Sequence, residues 1–204
     1  MGNSGRFSKY GEIKRLNRLH NSRISVPLVG GDNRANVSRI NRPTLKVLPR
    51  EPRLIVRPAR GNEGLFIKQL SRKVFRIYGP YEEIIPKWFG ADITTTVIAI
   101  MEGQLVGFAM IGNPSKINEL HHVAELLAIG VDPIRQGRGI GTFLLREVER
   151  KAVALGIKRI FLHTAKGNYY ALKLFSRSGY IKCEVKRSFY PEGQDAFVMS
   201  KVPI

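Results

Sequence analysis

Between Val131 and Thr142 the chain reads Val-Asp-Pro-Ile-Arg-Gln-Gly-Arg-Gly-Ile-Gly-Thr, a run whose glycine spacing suits the capture of a diphosphate. It follows an apolar run, Leu126 to Val131. It leads into a helical pattern with apolar residues at Ile140, Leu144, Val148, Ala152 and Leu155. A glycine-rich turn between strand and helix lets backbone N–H groups come close to a phosphate, and the positive end of the helix dipole adds to the attraction. Arg135 and Arg138 place fixed positive charge beside the turn. The Gly-Lys-Ser/Thr ending of a nucleoside-triphosphate loop is absent, and so is the Gly-x-Gly-x-x-Gly order of a dinucleotide fold. What stands is Gln136-x-x-Gly139-x-Gly141. Taken alone, it is either a diphosphate cradle or a plain glycine-rich turn.

The elements around this run must hold it in place. Leu54-Ile-Val-Arg-Pro reads as a short strand, and residues 61–75 and 81–89 read as helices separated by Gly79-Pro80. Thr95 to Met101 is β-branched and apolar. Glu102-Gly103 is a hairpin turn, and Gln104 to Gly112 returns as a second strand. Glu125 to Val131 is a third strand. The helix from Gly139 stops at Gly156, and Arg159 to Thr164 is strand-like. Asn168 caps a helix running to about Ser178 and closed by Gly179. Tyr180 to Tyr190 and Ala196 to Val202 finish the chain as strands around a Pro191–Gln194 turn. The order β-α-α-β-β-β-α-β-α-β-β predicts an α/β protein with one mixed sheet and helices on both faces.

The Gln136–Gly141 pattern resembles motif A of the GNAT acyltransferases, and a second stretch joins it. Asn168-Tyr-Tyr-Ala171-Leu-Lys-Leu-Phe175-Ser-Arg-Ser-Gly179-Tyr180 is similar to motif B of the same family. The resemblance runs from about Leu54 to Ile204. It implies the GNAT acyl-CoA N-acyltransferase fold, with acetyl-CoA as co-substrate. Ala124 to Pro133 and the ending Tyr190-Pro191…Asp195-Ala196…Met199 resemble the RimI group, which acetylates protein N-terminal amines. By this resemblance Ile129, Gly130 and Val131 lie along the pantetheine arm, with Gly130 permitting close approach. Arg135, Gln136, Gly137, Arg138, Gly139, Ile140, Gly141 and Thr142 surround the pyrophosphate, and Asn168 and Phe175 line the same site.

Acetyl transfer needs a neutral amine, a stabilised oxyanion and a proton for the departing thiolate. The RimI group carries a glutamate five residues ahead of the asparagine; here that position is His163, and a histidine can accept an ammonium proton near neutral pH. Glu125, one strand over, is the other candidate base. The family's tyrosine acid is replaced by Phe175, which has no proton to donate; Tyr169, Tyr170, Tyr190 or water are the substitutes. His163 is also readable as a partly buried structural histidine, and Glu125 as a side chain that holds the substrate amine or is simply solvated.

The 204 residues carry a formal charge of +18, unevenly spread. Residues 1–60 hold fourteen Lys and Arg against Glu12, Asp32 and Glu51. They show no sustained apolar period, so residues 1–53 are expected to be a flexible basic extension and 54–204 the catalytic domain. Such an extension is either a solvated tail or a contact for RNA or the ribosome. No apolar stretch approaches the ~20 residues needed to cross a bilayer. The single cysteine, Cys183, suits a reducing compartment. Cytoplasmic location, no membrane contact and no metal are the expectations. Alternatives to a protein acceptor are a small-molecule amine, or a degenerate domain that binds acetyl-CoA or RNA without turnover.

Overall fold

A computed structural model describes residues 53–91, 94–112 and 122–204. Strand β1 (Leu54–Pro58) leads through a single 3-10 turn into helix α1 (Gly64–Phe75), and α2 follows (Tyr81–Gly90). The sheet continues with β2 (Thr94–Met101), β3 (Gln104–Gly112) and β4 (Val123–Val131). Helix α3 (Ile140–Ala154), β5 (Arg159–Ala165), α4 (Tyr169–Arg177), β6 (Ile181–Lys186) and β7 (Ala196–Lys201) complete the order. The strands form one mixed sheet in the order β1-β2-β3-β4-β5-β7-β6, with β4 and β5 its parallel pair.

Strand alternation divides the core between the two faces of the sheet. Val97, Ala99, Ala109 and Ile111 point to one face, where Ile140, Leu144 and Val148 of α3 and Phe175 of α4 meet them. Ile98, Phe108 and Met110 point to the other, against Ile67 and Leu70 of α1 and Ile85 of α2. The β2–β3 turn closes on Glu102 and Gly103, both at positive φ (53° and 76°), as a two-residue hairpin of matching twist requires.

Two boundaries differ from the sequence expectation by more than two residues. The first helix starts with a 3-10 turn at Gly61–Glu63, because the Glu63 carboxylate accepts the Arg60 N–H at 2.6 Å and pairs with Arg57 instead of pointing along the helix. The strand expected over residues 180–190 is only Ile181–Lys186. Residues 187–195 leave the sheet as a loop in which Ser188 adopts φ 45° and donates its N–H to Asp195 Oδ1 at 3.0 Å. The basic extension expected over residues 1–53 lies, but for Arg53, outside the described residues.

Candidate active site

A bulge and a splay create the site. Met110 of β3 pairs with Ala128 of β4 and Ile111 with Leu126, which leaves Leu127 as the extra residue. A bulge bends its strand and disturbs the local pairing. On the other side, β4 pairs with β5 only from Val123–Arg159 to Leu126–Leu162, although both strands run on. From Leu127 to Val131 the edge of β4 that faces β5 is therefore open. The bulge also reverses the alternation. Leu126 packs with α3's core and Ala128 with α1's, so Ile129 and Val131 return to the α3 face.

Two adjoining cavities lie along this opening and share Phe75, Tyr78, Ile129, Asn168 and Ala171 in their walls. The outer one, of about 910 Å³, runs beside the glycine loop and the start of α3. Gly137 and Gly139 both sit at φ 77°, and a side chain built on either would meet no atom within 4 Å. Among the described residues no acceptor takes the N–H groups of Gly137, Arg138 and Gly139, and helix geometry leaves those of Ile140 and Gly141 unbonded. These amides, at the positive end of α3, form a cradle with the shape and polarity for a diphosphate. Gln136 braces it, Nε2 donating to the Val131 carbonyl at 3.0 Å.

The structure places the sequence-derived candidates unevenly. Gln136, Gly137, Gly139, Ile140, Gly141, Thr142, Ile129, Gly130, Val131 and Asn168 all border the outer cavity. Arg138 is exposed beside the loop but does not line that cavity. Arg135 does not join them: its guanidinium turns to the β2–β3 hairpin, donating to Glu102 Oε2 at 3.2 Å and Gln104 Oε1 at 3.3 Å. Gly130 has a packing reason of its own, since a Cβ there would come within 3.2 Å of Val74 and 3.3 Å of Phe108. Its missing side chain lets α1 lie against the sheet. Asn168 caps α4, its Oδ1 accepting the Ala171 N–H at 3.1 Å, while it also hydrogen-bonds Tyr78 and borders both cavities. Cations missed by the sequence reading, Arg146 on α3 and Lys173 and Arg177 on α4, line the outer cavity. Arg146 stands four residues after Thr142, and Arg177 four after Lys173, so helical spacing from the two motifs was the signal.

The inner chamber, of about 610 Å³, holds the titratable groups. Glu125 stands opposite Phe161, so His163, two residues further along β5, projects from the same face. Its Nδ1 lies 2.8 Å from Glu125 Oε1. An ionised carboxylate only accepts, so Nδ1 is the donor, and in the neutral imidazole the lone pair is then on Nε2. Nε2 is buried with no partner among the described residues. Phe189 covers the imidazole, the rings stacked at 4.3 Å and 9° from parallel.

Tyrosines complete the chamber. Burial, and then the charge of Glu125, push the Tyr81 hydroxyl up to about 12. Burial raises Tyr190 as well, with Tyr81, Tyr78 and Glu125 adding to it, and its hydroxyl is hydrogen-bonded to the backbone of Ala165. Both stay protonated at neutral pH. Tyr170 is different: it is 87% exposed and borders only the outer cavity, away from the Glu125–His163 pair. Tyr169 borders neither cavity. Phe175 is buried against Tyr180 and lines the chamber with a ring that has no proton to give.

Two loops wall the chamber. The α1–α2 turn and the β6–β7 loop meet where Gln194 Nε2 donates to the Ile77 carbonyl at 2.6 Å and the Tyr78 and Tyr190 rings lie 5.0 Å apart. Gly79 sits at φ 132°, and a Cβ on it would fall 2.7 Å from Pro191, so only glycine fits this crossing. Among the described residues no cluster of three or more His, Cys, Asp or Glu side chains is placed to hold a metal, and no helix is long and apolar enough to cross a membrane.

Comparison with known proteins agrees with this fold. An N-alpha-acetyltransferase RimI of Mycobacterium tuberculosis is 36% identical over 100 residues, 48% of this chain and 60% of the relative. The chain spans three fifths or less of the length of the curated relatives it matches. The crystal structure of a ribosomal-protein-S18-alanine N-acetyltransferase from Escherichia coli superposes with a TM-score of 0.64 at 19% identity, over 74% of this chain and 94% of that one. A protein of Salmonella typhimurium described as "a putative acetyltransferase", solved with its cofactor acetyl-CoA, gives 0.65 at 16% identity over the same 74% of this chain and 94% of its own. The profile described as "Acetyltransferase (GNAT) family" matches residues 66–180, more than half of the sequence, and with the splayed β4–β5 pair and the glycine cradle at α3 it shows that the chain belongs to the GNAT acetyltransferase family.

Proposed function

We propose that this chain is an acetyl-CoA-dependent N-acetyltransferase whose acceptor is the α-amine of a polypeptide N-terminus. The observation that carries the reading is the Glu125–His163 pair, 2.8 Å apart, at the point where β4 leaves β5. Bound in the trough, the co-substrate supplies an activated acyl group on a thiol leaving group. The free amides of residues 137–141 and the α3 dipole hold its diphosphate, Arg146, Lys173 and Arg177 add positive charge along the cleft, and the open edge of β4 offers backbone partners to its arm.

The acceptor amine must lose a proton before it can attack. His163 Nε2 takes it, directly or through one water, and Glu125 holds the ring in the required tautomer while stabilising the imidazolium that forms. Tyr190, kept protonated by burial, lines the dyad's chamber and donates a hydrogen bond to the leaving sulfur. A thiol of pKa about 8.5 leaves tolerably without full protonation, so a donated hydrogen bond suffices.

The joined loops favour a chain end over a side chain of a continuous polypeptide, because Gln194–Ile77 and Tyr78–Tyr190 block the passage of a strand through that wall. The names of relatives support the same acceptor: one curated relative is a [Ribosomal protein bS18]-alanine N-acetyltransferase. Incubation with acetyl-CoA and a peptide library, read by mass spectrometry, tests the proposal. A mass gain of one acetyl group on N-terminal amines supports it. Acetylation confined to small amines, or none, refutes it. The reading extends to a cytoplasmic location and to a two-part organisation. In it, residues 54–204 are the catalytic domain, and the basic extension brings it to RNA or the ribosome.

A further inference from the structure

The inner chamber that holds the dyad also has an apolar side, which forms a slot. One wall is built by Tyr81, Ile84, Ile85 and Trp88, which share one face of α2, and Leu127, the bulge residue of β4, lines it too. Glu82, Glu83 and Lys87 of the same helix border none of it. Of the described residues around the chamber, only Glu125, His163 and the tyrosines can ionise, and the first two are committed to each other. A charged side chain entering the slot would lose its hydration and meet no free counter-ion among the described residues. A small one would leave apolar surface unfilled.

We infer that this slot takes the first side chain of the acceptor, and that the acceptor begins with a large uncharged apolar residue such as methionine, leucine or phenylalanine. The inference rests on the polypeptide acceptor proposed above. The α-amine and its own side chain branch from one carbon, so an amine seated at His163 Nε2 puts that side chain into the space beside the dyad. Filling it removes apolar surface from water on both partners, and burial of one such side chain discriminates by about tenfold to a hundredfold. The same fit makes Trp88, the only tryptophan of the chain, a reporter of occupancy.

The test uses the full-length protein, acetyl-CoA and a set of otherwise identical peptides that differ in the first residue. The expected result is a kcat/KM for Met, Leu and Phe starts at least tenfold above that for Ala, Ser, Asp and Lys starts. Trp88 emission should shift when a Met-starting peptide is added in the presence of CoA, and not with an Asp-starting one. Ile84→Trp, which fills the slot, should shrink the ratio between Met- and Ala-starting peptides to below threefold. The unmodified protein decides the matter even where that variant fails to fold. If Ala, Ser or a charged start is preferred, the slot assignment is overturned while the N-terminal reading stands. If no peptide is acetylated, both fall.

Discussion

Nδ1 of His163 faces Oε1 of Glu125 at 2.8 Å across the last paired rung of β4 and β5, one residue belonging to each of the two strands that then part. Neither side chain is placed by its own strand alone. The parallel register sets them on one face, and the stacked Phe189 ring limits the imidazole to the orientation that presents Nε2.

The dyad makes the first prediction. His163→Ala should lower kcat by about a hundredfold to ten-thousandfold, the usual range for a positioned base, with little change in the KM for acetyl-CoA. Glu125→Gln should lower kcat by less, because an amide can still accept from Nδ1 but cannot stabilise the imidazolium. Tyr81 is pushed up to about 12 by burial, so its ionisation should add no alkaline limb to the pH–rate profile below pH 11. Steady-state kinetics from pH 6 to 10 measures all three. A His163→Ala enzyme of unchanged kcat removes histidine from the mechanism.

A second prediction separates the arginines near the glycine loop. Gly139→Asp should abolish measurable acetyl-CoA binding, since a carboxylate would enter the cradle at a left-handed backbone position. Arg138→Ala should weaken binding only a few-fold, and Arg135→Ala should leave affinity unchanged because its partners are Glu102 and Gln104. Calorimetric titration ranks them. A large loss at Arg135 contradicts the geometry.

Phe189 acts through His163. Phe189→Leu should reduce kcat by about tenfold and leave the KM for acetyl-CoA alone, and Phe189→Tyr should restore most of the rate because the stacked face is kept. Asp195→Asn should resemble the leucine variant, since the carboxylate holds Ser188 at its positive φ. Equal losses for Phe189→Leu and Phe189→Tyr would mean that stacking is irrelevant.

Acid stability should depend on Glu63. Hydrogen bonding from Arg57, opposed by burial, lowers its pKa, and the Arg60 N–H assists. A carboxyl group depressed in the folded state contributes stability above its unfolded value, about 4.5, and that contribution disappears as pH falls through the folded value. Glu63→Gln should therefore flatten the fall in Tm on acidification below about pH 5. Arg57→Ala should cost about 1–3 kcal/mol at neutral pH by leaving a buried carboxylate short of a donor. Thermal melts between pH 3 and 7 report both, and parallel curves for Glu63→Gln and the parent would count against the pair.

The basic extension gives the last prediction. A chain starting near Arg50 should acetylate short peptides at the rate of the full-length protein while losing salt-sensitive co-sedimentation with ribosomes, which counterion release makes steep in ionic strength. Sedimentation at low and high salt, with both proteins, checks it. Equal sedimentation of the two proteins places any such binding elsewhere.

The order of elements and the glycine-rich turn before α3 were legible in the chain because they depend on local rules. Apolar period separates helices from strands, glycine marks left-handed positions such as Gly139, and the spacing Gln136–Gly141 to Asn168 places two motifs on one site. The pairing of Glu125 with His163 was not legible, since the residues stand 38 apart and meet only through the parallel register of β4 on β5. The bulge at Leu127 was equally hidden. It arises from pairing with β3, and it decides which side chains of β4 face the α3 cleft and which the chamber. Arg135 reads as a phosphate ligand by proximity in sequence, yet the hairpin carboxylate at Glu102 claims it, a partner 33 residues away. Tyr78 and Tyr190 belong to loops whose crossing depends on a missing side chain at Gly79. Residue type and spacing thus determined what chemistry this chain is equipped for. Only long-range strand pairing and loop packing decided which side chains face one another to carry it out.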